Sequence, residues 1–186
     1  SLKWFIAIQP GGSIQKVAED CSKHSGGKYD IDLELLPTDA SQQREQLVRR
    51  LGAEDSSIDL IGMDVVWTAE FANAGYLLPI TDPAEVEALT EGVLEAPLET
   101  AYWDDQLVAT PFWANTQLLW YRTSVAEEAG VDPTAEDFTW DDMIQAAEDE
   151  GKRIGVQGRR YEGYMVWINA LVVSGGGEII ENVDQG

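Results

Sequence analysis

Cysteine and histidine are all but missing from this chain, whose 186 residues carry one of each, Cys21 and His24. A single thiol excludes an internal disulfide and leaves the redox compartment open, and without a Cys/His cluster there is no zinc-ligand pattern. Cys21 falls on the apolar stripe Ile14, Val17, Ala18, Cys21, so a small buried hydrophobe is expected there. His24 stands beside Ser25-Gly26-Gly27 at a helix end, where a cation suits the helix dipole and a surface role is expected. Basic residues are scarce too: 12 Lys and Arg against 34 Asp and Glu give a formal charge of −22. Such a field repels nucleic-acid phosphates and anionic lipid head groups, and Arg49-Arg50 and Arg159-Arg160 form only short basic pairs. Neither nucleic acid nor a membrane surface is an expected partner; the spread of the carboxylates reads as a solvated surface, compatible with halophilic adaptation. No apolar run reaches the roughly 18 residues of a spanning helix, and no secretory leader is expected within these residues. A phosphate-binding Gly-x-x-x-x-Gly-Lys-Ser/Thr loop is lacking, and Asp137/Asp141/Asp142 has neither the Gly nor the closing Glu of a calcium loop. No cofactor and no metal are expected.

What is present is enough apolar material, 44% of residues, to build one or two compact units. Residues 2–8 read as a strand, Gln9-Pro10-Gly11-Gly12 as a turn, and Ser13 as the cap of a helix bearing Ile14, Val17, Ala18 and Cys21. Ile31, Leu33 and Leu35 alternate with acids, then Pro37-Thr38-Asp39 turns into a helix carrying Leu47, Val48 and Leu51. Residues 58–63 form a third strand, and Asp64 opens a helix of Val66, Ala69, Phe71 and Ala72 that stops at Gly75. Three β-α units in series predict an α/β fold with a parallel sheet. An acidic helical stretch follows, then Asp104-Asp105 turns into Leu107-Val108-Ala109-Thr110 and a long strand through Arg122. Residues 1–110 are thus expected as a first lobe and residues 111–186 as a hinge strand and part of a second. In the latter, Thr139 caps a helix of Trp140, Met143, Ile144 and Ala147, residues 154–157 read as a short strand, and residues 161–174 as a mostly apolar helix. Trp4, Trp120, Trp140 and Trp167 sit among apolar neighbours and are expected in the core.

Ligands of open parallel sheets sit outside the carboxyl ends of the strands, where Gln9, Asp39, Gln43 and Asp64 fall. A carboxylate accepts two hydroxyl hydrogens and an amide both donates and accepts, so Asp64 and Asn115 could grip adjacent sugar hydroxyls. Trp113, on the same expected strand face as Asn115, could cover the apolar side of a sugar ring. Glu162 and Tyr164, opening the helix after Gly158-Arg159-Arg160, would face the first lobe on closure. Each has a plainer reading: Asp64 as a helix cap, Asn115 bonded within its loop, Glu162 and Tyr164 on a solvated helix start. Trp67 reads either as a cleft residue or as the anchor of its helix, with the anchor favoured.

The segments Met63-Asp64-Val65-Val66-Trp67-Thr68-Ala69-Glu70-Phe71, Asn115-Thr116-Gln117-Leu118-Leu119-Trp120-Tyr121-Arg122, and Val166-Trp167 on to Ser174-Gly175-Gly176 carry a further signal. With them the chain resembles the type 1 extracellular solute-binding proteins of bacterial ATP-driven sugar importers. The likeness is to their maltose/trehalose group and, within it, nearest to actinobacterial trehalose-binding lipoproteins. The resemblance implies a two-lobed architecture like the type II periplasmic binding proteins, with three-layer αβα lobes and the second lobe incomplete in a chain of this length. It further implies that Asp64 and Asn115 contact a disaccharide, that the Gln9-Pro10 loop lies at the cleft, and that Glu162 and Tyr164 belong to the second lobe's binding face. The partners it implies are a disaccharide and the permease subunits of an ABC transporter. The location implied is extracellular or in the cell envelope, with any lipid anchor outside this chain.

On this reading the protein holds its ligand by hinge closure and is not an enzyme. Two alternatives come from other classes: a glycoside hydrolase with Asp64 and Glu162 as its carboxylate pair, and an acidic protein-interaction module whose affinity collapses with salt.

Overall fold

The computed structural model describes residues 1–180 and divides into two units, Ser1–Asn115 and Thr116–Gly186. Residues 181–186, the end of the expected second lobe, lie outside the described residues.

The first unit opens with β1 (Leu2–Ala7), α1 (Ser13–His24), β2 (Ile31–Leu36), α2 (Ala40–Leu51) and β3 (Leu60–Ile61). All three strands are parallel in the order β2-β1-β3, with Leu2 opposite Ile31, Ala7 opposite Leu36 and Phe5 opposite Ile61. The chain leaves the central strand to one side, then crosses to the other. Right-handed crossovers in these two senses put α1 and α2 on opposite faces of the sheet. On the α2 face Phe5, Leu36 and Leu47 are buried with Trp67 and Phe71, backed by Val48, Leu51, Ile61 and Met63. Each such side chain contributes about 1.5–3 kcal/mol by leaving water. Strand alternation turns the buried Ile6 to the other face, which α1 covers with Ile14 and Ala18.

Two expectations for α1 need correction. Ser13 does not cap it; Gly12, in the left-handed region at φ 69°, is the cap residue and Ser13 is the first helical one. Cys21 is exposed. The buried stripe continues from Ala18 to Ser25 instead. There Ser22 Oγ accepts from Ile31 N–H at 2.9 Å, while Ser25 Oγ donates to Tyr29 O at 2.9 Å. These hydroxyls fix the last turn of α1 to the start of β2 and leave the thiol outside.

A 3-10 turn (Val65–Trp67) leads into α3 (Thr68–Asn73), stopped at Gly75 with φ 71°. Trp67 stacks on Phe71 at 5.9 Å, and Phe71 meets Tyr76 edge-on at 5.9 Å, so Trp67 is the anchor of its helix. Next come α4 (Pro83–Thr90), capped by Asp82, and α5 (Glu95–Glu99). A hairpin of β4 (Tyr102–Trp103) and β5 (Gln106–Leu107) follows. Asp104 and Asp105, at φ 49° and 59°, supply the two left-handed residues that a tight hairpin with the native twist demands.

The long strand expected through Arg122 is not formed. β5 stops at Leu107, and residues 108–122 have no regular structure. An apolar alternating segment becomes a strand only where another strand accepts its N–H and C=O groups. Among the described residues none pairs with this one.

The second unit contains α6 (Thr123–Ala129), ended by Gly130 at φ 66°, α7 (Trp140–Asp149) and α8 (Glu162–Ser174). Thr139 caps α7 as expected, in a reciprocal box with Asp142. The short strand expected at residues 154–157 is absent for the same want of a neighbour. Two tryptophans expected in the core lie outside it: Trp120 is 89% exposed, and Trp140 is half-exposed although it meets Trp167 edge-on at 5.6 Å. Among the described residues no helix is long and apolar enough to cross a membrane.

Candidate functional site

Parallel strands send all their carboxyl ends to one edge of the sheet. In the order β2-β1-β3 the connections run to opposite sides of the middle strand, and in open α/β sheets the loops that follow the two strands at such a switch point, here β1 and β3, are where ligands bind. Gln9 stands in the first of these loops and Asp64 in the second; Asp39 and Gln43 follow β2. The topology therefore brings Gln9, Asp39, Gln43 and Asp64 to one rim of the first unit.

Each is held by local chemistry. Gln9 has extended backbone, φ −109° and ψ 142°, immediately before the turn Pro10–Gly12. Gly11 and Gly12 in that turn lie in the left-handed region, at φ 79° and 69°, so the backbone there carries no side chain to bar an approaching ligand. Gln43 is buried in the first turns of α2, its N–H bonded to Asp39 O at 3.0 Å. Asp39 caps that helix through Gln42 N–H at 3.0 Å. Asp64 is half-buried and accepts Val66 N–H at 3.3 Å through one carboxylate oxygen, so the cap role anticipated for it is real. Its second oxygen keeps acceptor capacity.

One contact beside this rim was not legible in the sequence. Arg44, next to Gln43, donates Nε–H to Glu70 Oε2 at 2.7 Å and a second N–H to Glu70 Oε1, tying α2 to α3. The guanidinium holds the Glu70 carboxyl below its ordinary range, and Glu70 raises Arg44 in return. The partners are 26 residues apart on different helices, and no spacing rule links them.

Trp113 and Asn115 lie on the irregular segment after β5 and are exposed, which corrects the shared strand face expected for them. Trp113 packs on Phe112 with ring centroids 4.9 Å apart, and Phe112 meets Trp4 edge-on at 5.5 Å, making an aromatic ledge within the first unit. Glu162 and Tyr164 belong to the second unit, in the first turn of α8, both exposed. Beside them Gln157 Nε2 donates to Tyr161 Oη at 3.1 Å, and that ring lies over Gly163, where a Cβ would sit 2.3 Å from the hydroxyl. A glycine in the first turn of a bulky apolar helix is the sequence signal for such a folded-back ring.

Acids and amides trade hydrogen bonds with hydroxyl groups, and aromatic faces cover C–H surface. Among the described residues no three His, Cys, Asp or Glu side chains stand close enough to hold a metal ion.

Residues 8–184 match the bacterial extracellular solute-binding protein family. A protein of Deinococcus radiodurans named "Probable ABC transporter-binding protein" is 26% identical over 181 residues, covering 90% of this chain and 41% of its own length. Among solved structures, maltose-bound MalE3 of T. maritima superposes with a TM-score of 0.75 at 22% identity, over 98% of this chain and 47% of that one. An ABC transporter solute-binding protein of Thermotoga lettingae, bound to α-D-tagatose, superposes with a TM-score of 0.67 at 21% identity, over 97% and 47%. The chain thus spans just under half the length of these proteins. The shared fold is the two-lobed α/β one, with the second lobe incomplete in this chain.

Proposed function

The chain belongs to the bacterial extracellular solute-binding protein family, and on that premise we propose that it is part of the sugar-capturing component of an ABC importer. Its ligand is a disaccharide, trehalose first among the candidates, and its protein partner is the permease that receives the sugar. The protein works outside the cytoplasmic membrane, in the cell envelope. No bond of the sugar is broken. Asp64 and Glu162 act as hydrogen-bond acceptors, Gln9, Gln43 and Asn115 as amide donors and acceptors, and Trp113 and Tyr164 as covers for the ring faces.

The observation that carries this reading is the polar rim of Gln9, Gln43 and Asp64 at the carboxyl ends of the strands, in a chain matched almost throughout by the family. Capture proceeds by closure. A sugar with greater affinity for the closed form shifts the protein toward it, and that differential affinity is the only source of the shift. Calorimetric titration with trehalose and maltose tests the proposal, for this chain and for a version extended to the full length of its relatives. Saturable heat with unchanged sugar is the expected result. Absence of heat from the extended version removes the disaccharide, and glucose in the cell replaces binding by hydrolysis.

A further inference from the structure

Two stretches of the first unit carry three of the four residues on the polar rim: the start of α2, with Asp39 and Gln43, and the turn that Asp64 opens. Neither stretch is slack. Gln43 N–H bonds Asp39 O at 3.0 Å and Arg44 follows at once, while Trp67 N–H bonds Asp64 O at 3.0 Å and that turn runs straight into α3, whose first turn holds Glu70. Asp64 is thus joined to Glu70 through consecutive helical turns with no loop between them.

Two kinds of contact set one stretch against the other. Leu47 packs with Trp67 and Phe71 in the core, and burial of this kind holds surfaces together without fixing a direction. The Arg44–Glu70 clasp is directional, because Nε–H and a second guanidinium N–H meet the two carboxylate oxygens as a fork. Its side chains are 45% and 39% exposed, and an ion pair so open to water adds little to stability. Geometry is what it can supply.

We propose that Arg44 and Glu70 are the positioning pair of the rim, fixing Asp64 against Gln43 so that both meet one sugar. The inference rests on the capture reading above and deepens it. In this role neither side chain touches the ligand: Arg44 acts through Gln43, and Glu70 through Asp64. A rim held in place beforehand binds more tightly because less ordering remains to be done on binding.

Titration calorimetry with trehalose and maltose, on the chain extended to the full length of its relatives, tests the pair alongside thermal melting. Arg44→Lys keeps the charge and loses the fork, and Glu70→Gln keeps the shape and loses the charge. Each should weaken binding by about threefold or more, with little change in melting temperature. A pair that only stabilised the fold would move the melting point and leave the affinity alone. Added to Asp64→Ala, Arg44→Lys should cost less than it does in the parent, since the acceptor it places is gone. Arg50→Lys, in the other ion pair of α2, should leave affinity unchanged. Variants at Arg44 and Glu70 that bind as the parent does, or losses that simply add to that of Asp64→Ala, overturn the positioning role alone. An extended parent that binds neither sugar overturns the capture reading and this inference with it.

Discussion

Gly62 stands where no side chain fits: a Cβ there would lie 2.7 Å from Ile6 Cγ1 and 3.2 Å from Ile6 Cβ, while its N–H donates to Phe5 O at 2.7 Å. The close atoms include the rigid base of a β-branched residue on the central strand, so the neighbour cannot swing away. Gly62→Ala should therefore destabilise the fold by about 1–3 kcal/mol through overpacking, read as a lower urea midpoint with an unchanged slope. Two residues on, Asp64 caps a turn and, in the function proposed above, also accepts from the sugar, two roles that substitution can separate. Asp64→Asn keeps an oxygen for Val66 N–H, whereas Asp64→Ala removes both the cap and the ligand acceptor. Asp64→Ala should weaken trehalose binding of the extended protein by about 1–3 kcal/mol in titration calorimetry. Asp64→Asn should lose less affinity while melting close to the parent protein. Asn115→Ala should cost a similar amount of affinity and almost no stability, because its exposed segment takes no part in the core.

Among the elements, α7 shows what a cap does and how pH acts on it. Thr139 Oγ1 accepts Asp142 N–H at 3.2 Å, and Asp142 Oδ2 accepts Thr139 N–H at 2.8 Å and its hydroxyl at 2.6 Å. The hydroxyl bond first, and the backbone bond after it, hold the Asp142 carboxyl below its ordinary range. A folded-state depression means the contribution is complete above the unfolded aspartate range and disappears as pH falls through the folded value. Thr139→Ala should cost about 1 kcal/mol at neutral pH, and the gap between variant and parent melting points should narrow on acidification. This element was legible because Thr139, Asp142 and the apolar Met143, Ile144 and Ala147 are all local. The order of the first three β-α units was legible for the same reason, since alternation, 3.6-residue stripes and glycine stops are written within a dozen residues. The third strand, however, covers only Leu60–Ile61 of the expected 58–63, and Asp64 opens a 3-10 turn with the α-helix starting at Thr68. Residues 108–122 were not. Their alternation says strand, but a strand also requires a neighbour, and pattern alone does not supply one. Trp120 and Trp140 failed likewise, since apolar neighbours in sequence do not bury a ring that lacks an opposing surface. Of the site, the strand-end positions of Gln9, Gln43 and Asp64 were readable from the β-α order, while the Arg44–Glu70 clasp beside them was not.

For the whole molecule the dominant fact is charge. Among the described residues three ion pairs form, Lys23–Glu19 at 3.7 Å, Arg44–Glu70, and Arg50–Asp55 at 3.0 Å, all on the first unit. Between Arg50 and Arg122 the sequence has no basic residue at all. Self-repulsion on this scale is relieved by screening, so the melting temperature should rise by several degrees between dilute buffer and about 1 M sodium chloride. Sugar affinity should stay level over the same range, since the proposed ligand is neutral. A melting point that falls with salt would mean that the three pairs outweigh the unpaired carboxylates.

Of the three parallel strands, β1 is the one in the middle. Leu2–Ala7 separates β2 from β3, which share no edge without it. Loss of residues 2–7 takes out the keystone and leaves two strands that never touch, whereas a nick at Gly26-Gly27, between α1 and β2, severs the chain yet spares both ladders of the sheet.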